Sequence, residues 1–299
     1  MKTIALSSKT YGQPKNLEFV TIELPPLTRG WARIKVNAAG VNPVDARRLT
    51  GDIKFGALPM TFGTEFAGTI TDIAGDAPEW EVGDEVLGSG EAFTHATVID
   101  VPTDNLVRRP PTMPWAVAGS LAGVSQTAVT IFDELGPIRS LLVHGGAGGV
   151  GTVTIQLARE KGITVVATGS KDNQEYLATL GAIPVEYGPG LIANLDRVAP
   201  RRFDASIDMA GTAEATEASL AHVSDAGMIA SVAATTPTSP RVRQVWRKRD
   251  PRAIEQVIAS IAAGRVKWTV SSTYPFHDAP DAYTAILERH VRGKSVLLF

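Results

Sequence analysis

The sequence predicts an α/β chain in which a doubly wound parallel sheet is inserted into a smaller β-rich domain. Three observations predict this. The pattern changes near Pro114, from short strands punctuated by Pro and Gly to apolar strands alternating with helices. A glycine-rich turn, Gly146-Ala147-Gly148-Gly149-Val150-Gly151, joins a buried strand directly to a helix. The last stretch, from about residue 267, does not continue the strand–helix repeat. At 299 residues the chain exceeds a comfortable single core, which also favours two domains.

Taken in order, WARIKVNAA, the alternating run across Phe66 to Ile73, DEVLGS and THATVIDVP read as strands. Turns at Asn42-Pro43, Gly51-Asp52 and Val82-Gly83-Asp84 separate them. This β-rich domain spans 1–112. The inserted domain spans 113–266, with strands at 140–144, 163–168, 183–187, 204–209, 228–233 and 242–246 and helices between most of them. A helix over 251–263 is the clearest: Asp250 caps it, Pro251 suits its first turn, Ile254, Val257, Ile258 and Ile261 form one stripe, and Gly264 stops it. Residues 267–299, with a helix near Asp278 to Arg289 and the strand KSVLLF, return to the first domain.

Composition narrows the function. Hydrophobic residues are 44% and charged residues 20%, and 29 Lys plus Arg against 31 Asp plus Glu leave a formal charge of -2. That balance gives no general pull toward nucleic acid or anionic membrane, so a small molecule is the expected partner. A basic run at Arg241, Arg243, Arg247, Lys248 and Arg249 is the one local exception, read as a solvated strand edge and loop. Cysteine is absent, which removes disulfides, thiolate nucleophiles and thiolate metal ligands. The N-terminus has too short an apolar run for a signal peptide, and no stretch reaches the ~20 apolar residues of a membrane span, so a cytoplasmic location is expected.

The glycine turn fits G-x-G-x-x-G in the strand–turn–helix context of a Rossmann domain. Gly146 is expected to permit the tight turn, Gly148 a close backbone approach to pyrophosphate, and Gly151 the packing of helix on strand. With Ala147, Gly149 and Val150, these residues would present free N–H groups and a partial positive charge to the phosphates. No Gly-Lys-Ser/Thr follows, which excludes a Walker loop. About 20 residues further on, an NAD enzyme places an acid against the ribose 2'-hydroxyl. Here Ser170 and Lys171 arrive instead, a hydroxyl and an ammonium suited to a 2'-phosphate, so NADPH is the expected cofactor. The competing reading makes Ser170 a helix N-cap and Lys171 a solvated surface residue.

These residues, with VNAAGVNPVDARRLTG (36–51), LPMTFGTEFAGTI (58–70), VGDEVLG (82–88), LLVHGGAGGVG (141–151), LGA (180–182), FDASIDMAG (203–211) and RGKSVLLF (292–299), resemble the quinone oxidoreductase (zeta-crystallin-like) branch of the medium-chain dehydrogenase/reductase superfamily. The resemblance implies a GroES-like catalytic domain, an inserted Rossmann domain and an active-site cleft between them. Zinc enzymes of that superfamily place Cys and His on these motifs. This chain has no Cys in AAGVNPVD and carries Thr64 where they carry His, so no metal site is expected.

The resemblance also implies site residues. Asn42, followed by Pro43, resembles an Asn beside the nicotinamide whose amide would donate to the oxygen gaining charge; a turn-forming Asn is the alternative. Either Ser125 or Thr127 matches a hydroxyl near the nicotinamide, Ser125 being a candidate proton source. Tyr187 resembles a Tyr beside the adenosine phosphate, or is an aromatic covering the sheet edge. Gly211 and Ala233 follow strands whose carboxyl ends meet the ligand crevice. Lys294 in the closing motif stands near the cofactor or on a surface turn, and Phe55 is a candidate pocket wall.

The implied activity is hydride transfer from NADPH to a quinone, with position and an oxyanion donor as the protein's contribution. Reduction of the double bond of an enal, enone or enoyl thioester is the alternative acceptor chemistry. An NADPH-binding protein without catalysis, used in sensing, structure or RNA contact, is the reading from another class. A homodimer joined along 242–246 is also implied, since VRQVW is an apolar edge that invites pairing.

Overall fold

Period-two alternation decides the first strands. In β2 (Glu18–Glu23) every second side chain is half-buried and the others are exposed, and the strand pairs antiparallel with β1 (Lys2–Ser8). The chain continues through β3 (Trp31–Val41), α1 (Pro43–Thr50), β4 (Met60–Thr61), β5 (Glu65–Ala74), β6 (Glu85–Ser89), β7 (Val98–Pro102), β8 (Leu106–Arg108), α2 (Trp115–Ala118) and α3 (Ala122–Leu135). It then enters β9 (Ser140–His144), α4 (Gly149–Glu160), β10 (Thr164–Gly169), α5 (Gln174–Leu180), β11 (Ile183–Glu186), α6 (Leu191–Val198), β12 (Phe203–Asp208), α7 (Ala213–His222), β13 (Val223–Ser231) and β14 (Val242–Gln244). It closes with α8 (Pro251–Ala262), β15 (Val270–Pro275), α9 (Ala279–Leu287) and β16 (Lys294–Leu298). This computed structural model describes residues 1–54, 56–199, 202–233, 239–288 and 292–299. Phe55 and the end of the helix expected to reach Arg289 lie outside them.

The chain divides into two units. The first comprises Met1–Gly123, Arg249–Glu255 and Thr269–Phe299, and the second Val124–Lys248 and Gln256–Trp268. The divisions fall inside α3 and α8 rather than at the change of pattern near Pro114. In the first unit a seven-stranded sheet runs β15-β16-β3-β5-β6-β8 with β7 also on β3, beside a smaller sheet β2-β1-β4. The closing strand β16 pairs antiparallel with β3, Val296 opposite Gly40 and Leu297 opposite Ala39, so the chain end is built into the sheet that its first third begins. One core gathers Ile34, Val36, Phe66, Ile70 and Ile99; another gathers Leu6, Leu49, Phe62, Tyr283 and Leu297.

The second unit holds a six-stranded sheet of order β11-β10-β9-β12-β13-β14, its strands paired parallel throughout the described residues. Its central strand β9 is buried along Leu141 to His144, as a strand covered on both faces must be. The basic run near Arg243 is largely committed to the chain itself: Glu134 accepts from Arg243 at 2.6 Å and from Lys248 at 2.8 Å, and Arg241 caps the carbonyl of Ser224 at 3.0 Å.

Two fully buried histidines give this fold a defined acid response. His144, at the end of β9, meets the Ser219 hydroxyl at 3.1 Å and the Thr168 hydroxyl at 3.3 Å. Burial, with His222 nearby, pushes its pKa down from 6.5 to about 4. Burial also lowers His95, against the partly opposing pull of Asp45, the Gly40 carbonyl and Glu65. A folded pKa below the unfolded one means the unfolded chain binds the extra proton. Stability is therefore complete above pH ~6.5 and is lost as pH falls toward 4, with His144 contributing up to about 3 kcal/mol. Chemical denaturation of wild type and His144→Asn at pH 7 and pH 4.5 checks this. The variant loses less stability across the interval; an equal loss in both proteins contradicts the assignment.

Candidate active site

The glycine turn is shaped by packing on one side and openness on the other. Gly145, with φ +77, makes the left-handed turn that Gly146 was expected to make. Gly146 is required for a different reason, because a Cβ there would lie 2.9 Å from Leu177 Cδ2 and 3.0 Å from the Ala167 side chain. At Gly151 a Cβ would come within 2.6 Å of the Gly146 carbonyl, so only glycine lets α4 pack on the turn. Gly148 differs: among the described residues its Cβ would meet only the Gly145 carbonyl, at an ordinary 3.5 Å. No atom of the described residues demands glycine there, and the open backbone is the room a close-approaching phosphate needs. The first N–H groups of α4, from Gly149 onward, lack intrahelical acceptors and carry the positive end of the helix dipole. Residues 146–150 thus fit a dinucleotide pyrophosphate, Ala147 being buried beneath the turn.

Parallel pairing brings the other candidates of this unit to the same sheet edge. Ser170 and Lys171 follow β10, Tyr187 follows β11, Gly211 follows β12 and Ala233 follows β13. Strand order reverses beside β9, so the turn sits at the switch point of the sheet. The Ser170 hydroxyl accepts from the Asn173 side chain at 2.9 Å and caps no backbone N–H, while Lys171 is exposed. Tyr187 is 53% exposed, and its N–H donates to the Gly169 carbonyl at 3.2 Å, which anchors it next to Ser170. Sequence reasoning missed Asp208, whose carboxylate accepts from the N–H groups of Ala210 at 2.8 Å and Gly211 at 2.9 Å. Burial pushes that carboxyl up, against those two N–H groups. Ser125 is fully buried in α3, its hydroxyl without a partner among the described residues, whereas Thr127 is half-buried.

The first unit holds a second cluster, built from the ends of β3, β5 and β16. Lys294, only 4% exposed, donates to Oδ1 of Asn42 at 2.5 Å and to Oε1 of Glu65, which is fully buried. Asn42 Nδ2 donates to Glu65 Oε1 at 2.9 Å and to the Thr64 hydroxyl at 3.2 Å. The N–H of Gly123 reaches Glu65 Oε2 at 2.6 Å. Burial pushes the Glu65 carboxyl up, but Lys294, Gly123 and Asn42 together hold it below the usual carboxylate range. Glycine at position 40 makes the space, since a Cβ there would lie 2.3 Å from Glu65 Oε1 and 3.0 Å from Lys294 Cε.

Asn42 and Lys294, both singled out in the sequence, are thus joined, but not in the expected way. Both amide protons of Asn42 are committed inside the cluster, so it offers no free donor to a substrate oxygen. Lys294 is buried in an ion pair and is not a surface residue of a turn. Pro43 is exposed as the first residue of α1. Glu65 escaped notice although its signal was legible: an acid inside the buried run EFAGTI has to find a cation.

The chain matches two family models, alcohol dehydrogenase GroES-like domain over residues 28–140 and zinc-binding dehydrogenase over 180–297. Among solved structures it resembles the quinone oxidoreductase from Coxiella burnetii, with TM-score 0.90 and 25% identity over 100% of both chains. The Escherichia coli quinone oxidoreductase complexed with NADPH has the same fold, with TM-score 0.89 and 20% identity over 99% of this chain and 100% of that one. An NADPH-dependent alkenal/one oxidoreductase of Arabidopsis thaliana is 28% identical over 92% of this chain and 74% of the relative. The residues present do not fit the zinc named by the second family model. The chain has no cysteine, Thr64 is bonded to Asn42, and the described residues include no group of three metal-ligating side chains.

Removing one partner of the buried pair strands the other. Lys294→Met is expected to cost about 3–5 kcal/mol of unfolding free energy, and Glu65→Gln added to it to restore much of the loss. Urea denaturation of the three proteins decides this. A single variant as stable as wild type would show the pair to be dispensable.

Proposed function

This chain belongs to the quinone oxidoreductase branch of the medium-chain dehydrogenase/reductase superfamily, and on that premise we propose that it reduces a quinone with NADPH, without a metal. It is an NAD(P)H oxidoreductase; the phosphorylated cofactor and the quinone are our finer reading. The observation that carries it is the sheet edge where the open backbone at Gly148 and Lys171 follow neighbouring strands, one suited to pyrophosphate and the other to a 2'-phosphate. NADPH in a structural neighbour supports the same choice.

When bound, the cofactor supplies a hydride. The chain's own residues bind and orient. Residues 146–150 hold the pyrophosphate, Ser170 and Lys171 the ribose phosphate with Tyr187 beside it, and the backbones of Gly211 and Ala233 line the nicotinamide side. Of the two hydroxyl candidates we place Thr127 by the nicotinamide, because Ser125 is sealed from solvent. Quinones spread the incoming charge over their ring system, so positioning and one oxyanion donor suffice. Reduction of an enal or enone is the second reading, favoured by the alkenal/one oxidoreductase that matches most of the chain.

Fluorescence titration with NADPH and NADH tests the cofactor assignment. Lys171→Ala is expected to weaken NADPH by about tenfold and to leave NADH unchanged, as loss of one charged hydrogen bond requires. Equal weakening of both cofactors removes Lys171 from the 2'-phosphate. Steady-state rates with a quinone panel and an enone panel then assign the acceptor.

We also propose a homodimer paired along β14, the edge strand of its sheet, next to Trp246, which is 69% exposed. Sedimentation at micromolar concentration is expected to give a dimer and Trp246→Glu a monomer. A monomeric wild type refutes the pairing.

A further inference from the structure

The cluster at the ends of β3, β5 and β16 is a directed chain of hydrogen bonds. Its direction is fixed by chemistry. An ammonium has donors only, so the atom of Asn42 facing Lys294 at 2.5 Å is its carbonyl oxygen; a carboxylate has acceptors only, so the atom facing Glu65 at 2.9 Å is its amide nitrogen. The remaining amide proton therefore points at the Thr64 hydroxyl, 3.2 Å away, which must accept. The proton of that hydroxyl has no acceptor among the described residues. Of the four side chains, Glu65 and Lys294 are buried, whereas Asn42 and Thr64 keep partial exposure.

The backbone holds this end of the chain rigidly. Asp45, fully buried, accepts from the N–H of Asn42 at 3.0 Å and from the N–H of Gly63 at 3.1 Å, so one carboxylate anchors both segments that carry the chain's outer members. Gly63 has φ +95, and a Cβ there would lie 2.3 Å from the Thr94 hydroxyl and 2.5 Å from the His95 nitrogen. The Thr64 carbonyl is fixed in turn by the N–H of Gly90 at 3.2 Å.

We propose that the Thr64 hydroxyl is the hydrogen-bond donor to the acceptor's carbonyl oxygen, with Lys294 polarising it through Asn42. This deepens the reductase reading and rests on it. Each bond in a chain headed by a cation strengthens the next, so an ammonium kept out of solvent raises the donor strength of a hydroxyl it does not touch. Lys294 and Glu65 are positioning residues in this account, and the group that meets the substrate is Thr64. The acceptors it fits are those that gather negative charge on an oxygen as they are reduced.

Binding of 4-nitrophenolate tests the proposal without turnover, because a phenolate oxygen carries the charge that such a donor recognises. The expected result is affinity about ten- to a hundredfold weaker in Thr64→Val than in wild type, restored in Thr64→Ser. The Glu65→Gln/Lys294→Met double variant, which keeps Thr64 and strands no charge, is expected to bind several-fold more weakly than wild type. Unchanged affinity in Thr64→Val or in the double variant, or no phenolate binding by the wild type, overturns the proposal. Failure of the wild type to reduce any quinone or enone would instead count against the reductase reading, which this measurement does not use.

Discussion

The ion pair between Lys294 and Glu65 is the constraint on which the first unit turns. It joins a residue from the chain's last strand to one from β5, 229 positions earlier, and it does so out of contact with water. Two charges in such a place are tolerable only if every other acceptor is filled. The Gly123 N–H and the Asn42 amide fill those of Glu65, and Asn42 Oδ1 takes a second proton of Lys294. The absence of a side chain at position 40 follows from the same requirement. Asn42 is thereby held in one rotamer with its amide direction set. This buried polar cluster thus depends on the chain returning from its inserted domain to complete the sheet.

The inserted unit solves a complementary problem. Its strands are parallel and buried, so the loops that follow them bring their polar backbone groups to the carboxyl edge of the sheet. The turn after β9 concentrates this effect: packing demands glycine at positions 146 and 151, while the backbone at 148 stays open. Asp208, next strand over, fixes the left-handed Gly211 by accepting two consecutive N–H groups. Polar groups at this edge are mostly main chain, and under the proposed function the side chains of Ser170 and Lys171 beside them select the nucleotide.

Much of this was legible in the sequence, and for physical reasons. Strand β9 has the bounds read from its apolar run, and α8 follows its cap, its stripe and its stopping glycine closely. The tail was legible because it broke the repeat. What was hidden depended on distance along the chain. No local pattern tells Lys294 that Glu65 is its partner, so it read as either a cofactor contact or a surface residue. Asn42 read either as a donor to substrate, which the resemblance implies, or as a turn-forming residue, because its side-chain partners Lys294, Glu65 and Thr64 are all distant in sequence. Thr64 was seen only as a missing metal ligand. The left-handed φ falls at Gly145, one residue before the Gly146 expected to permit the tight turn, because a motif gives spacing and not the dihedral angles that packing selects.

Under the proposed function, this fold passes a hydride from a bound nicotinamide to a conjugated carbonyl with no metal. A single-turnover experiment on chelator-treated protein, using NADPH deuterated at the transferred position, tests it most directly. The expected result is oxidation of the cofactor on mixing with a quinone or enone, slowed by a primary isotope effect and unaffected by the chelator. NADPH that binds but stays reduced in the presence of both acceptor classes would contradict it.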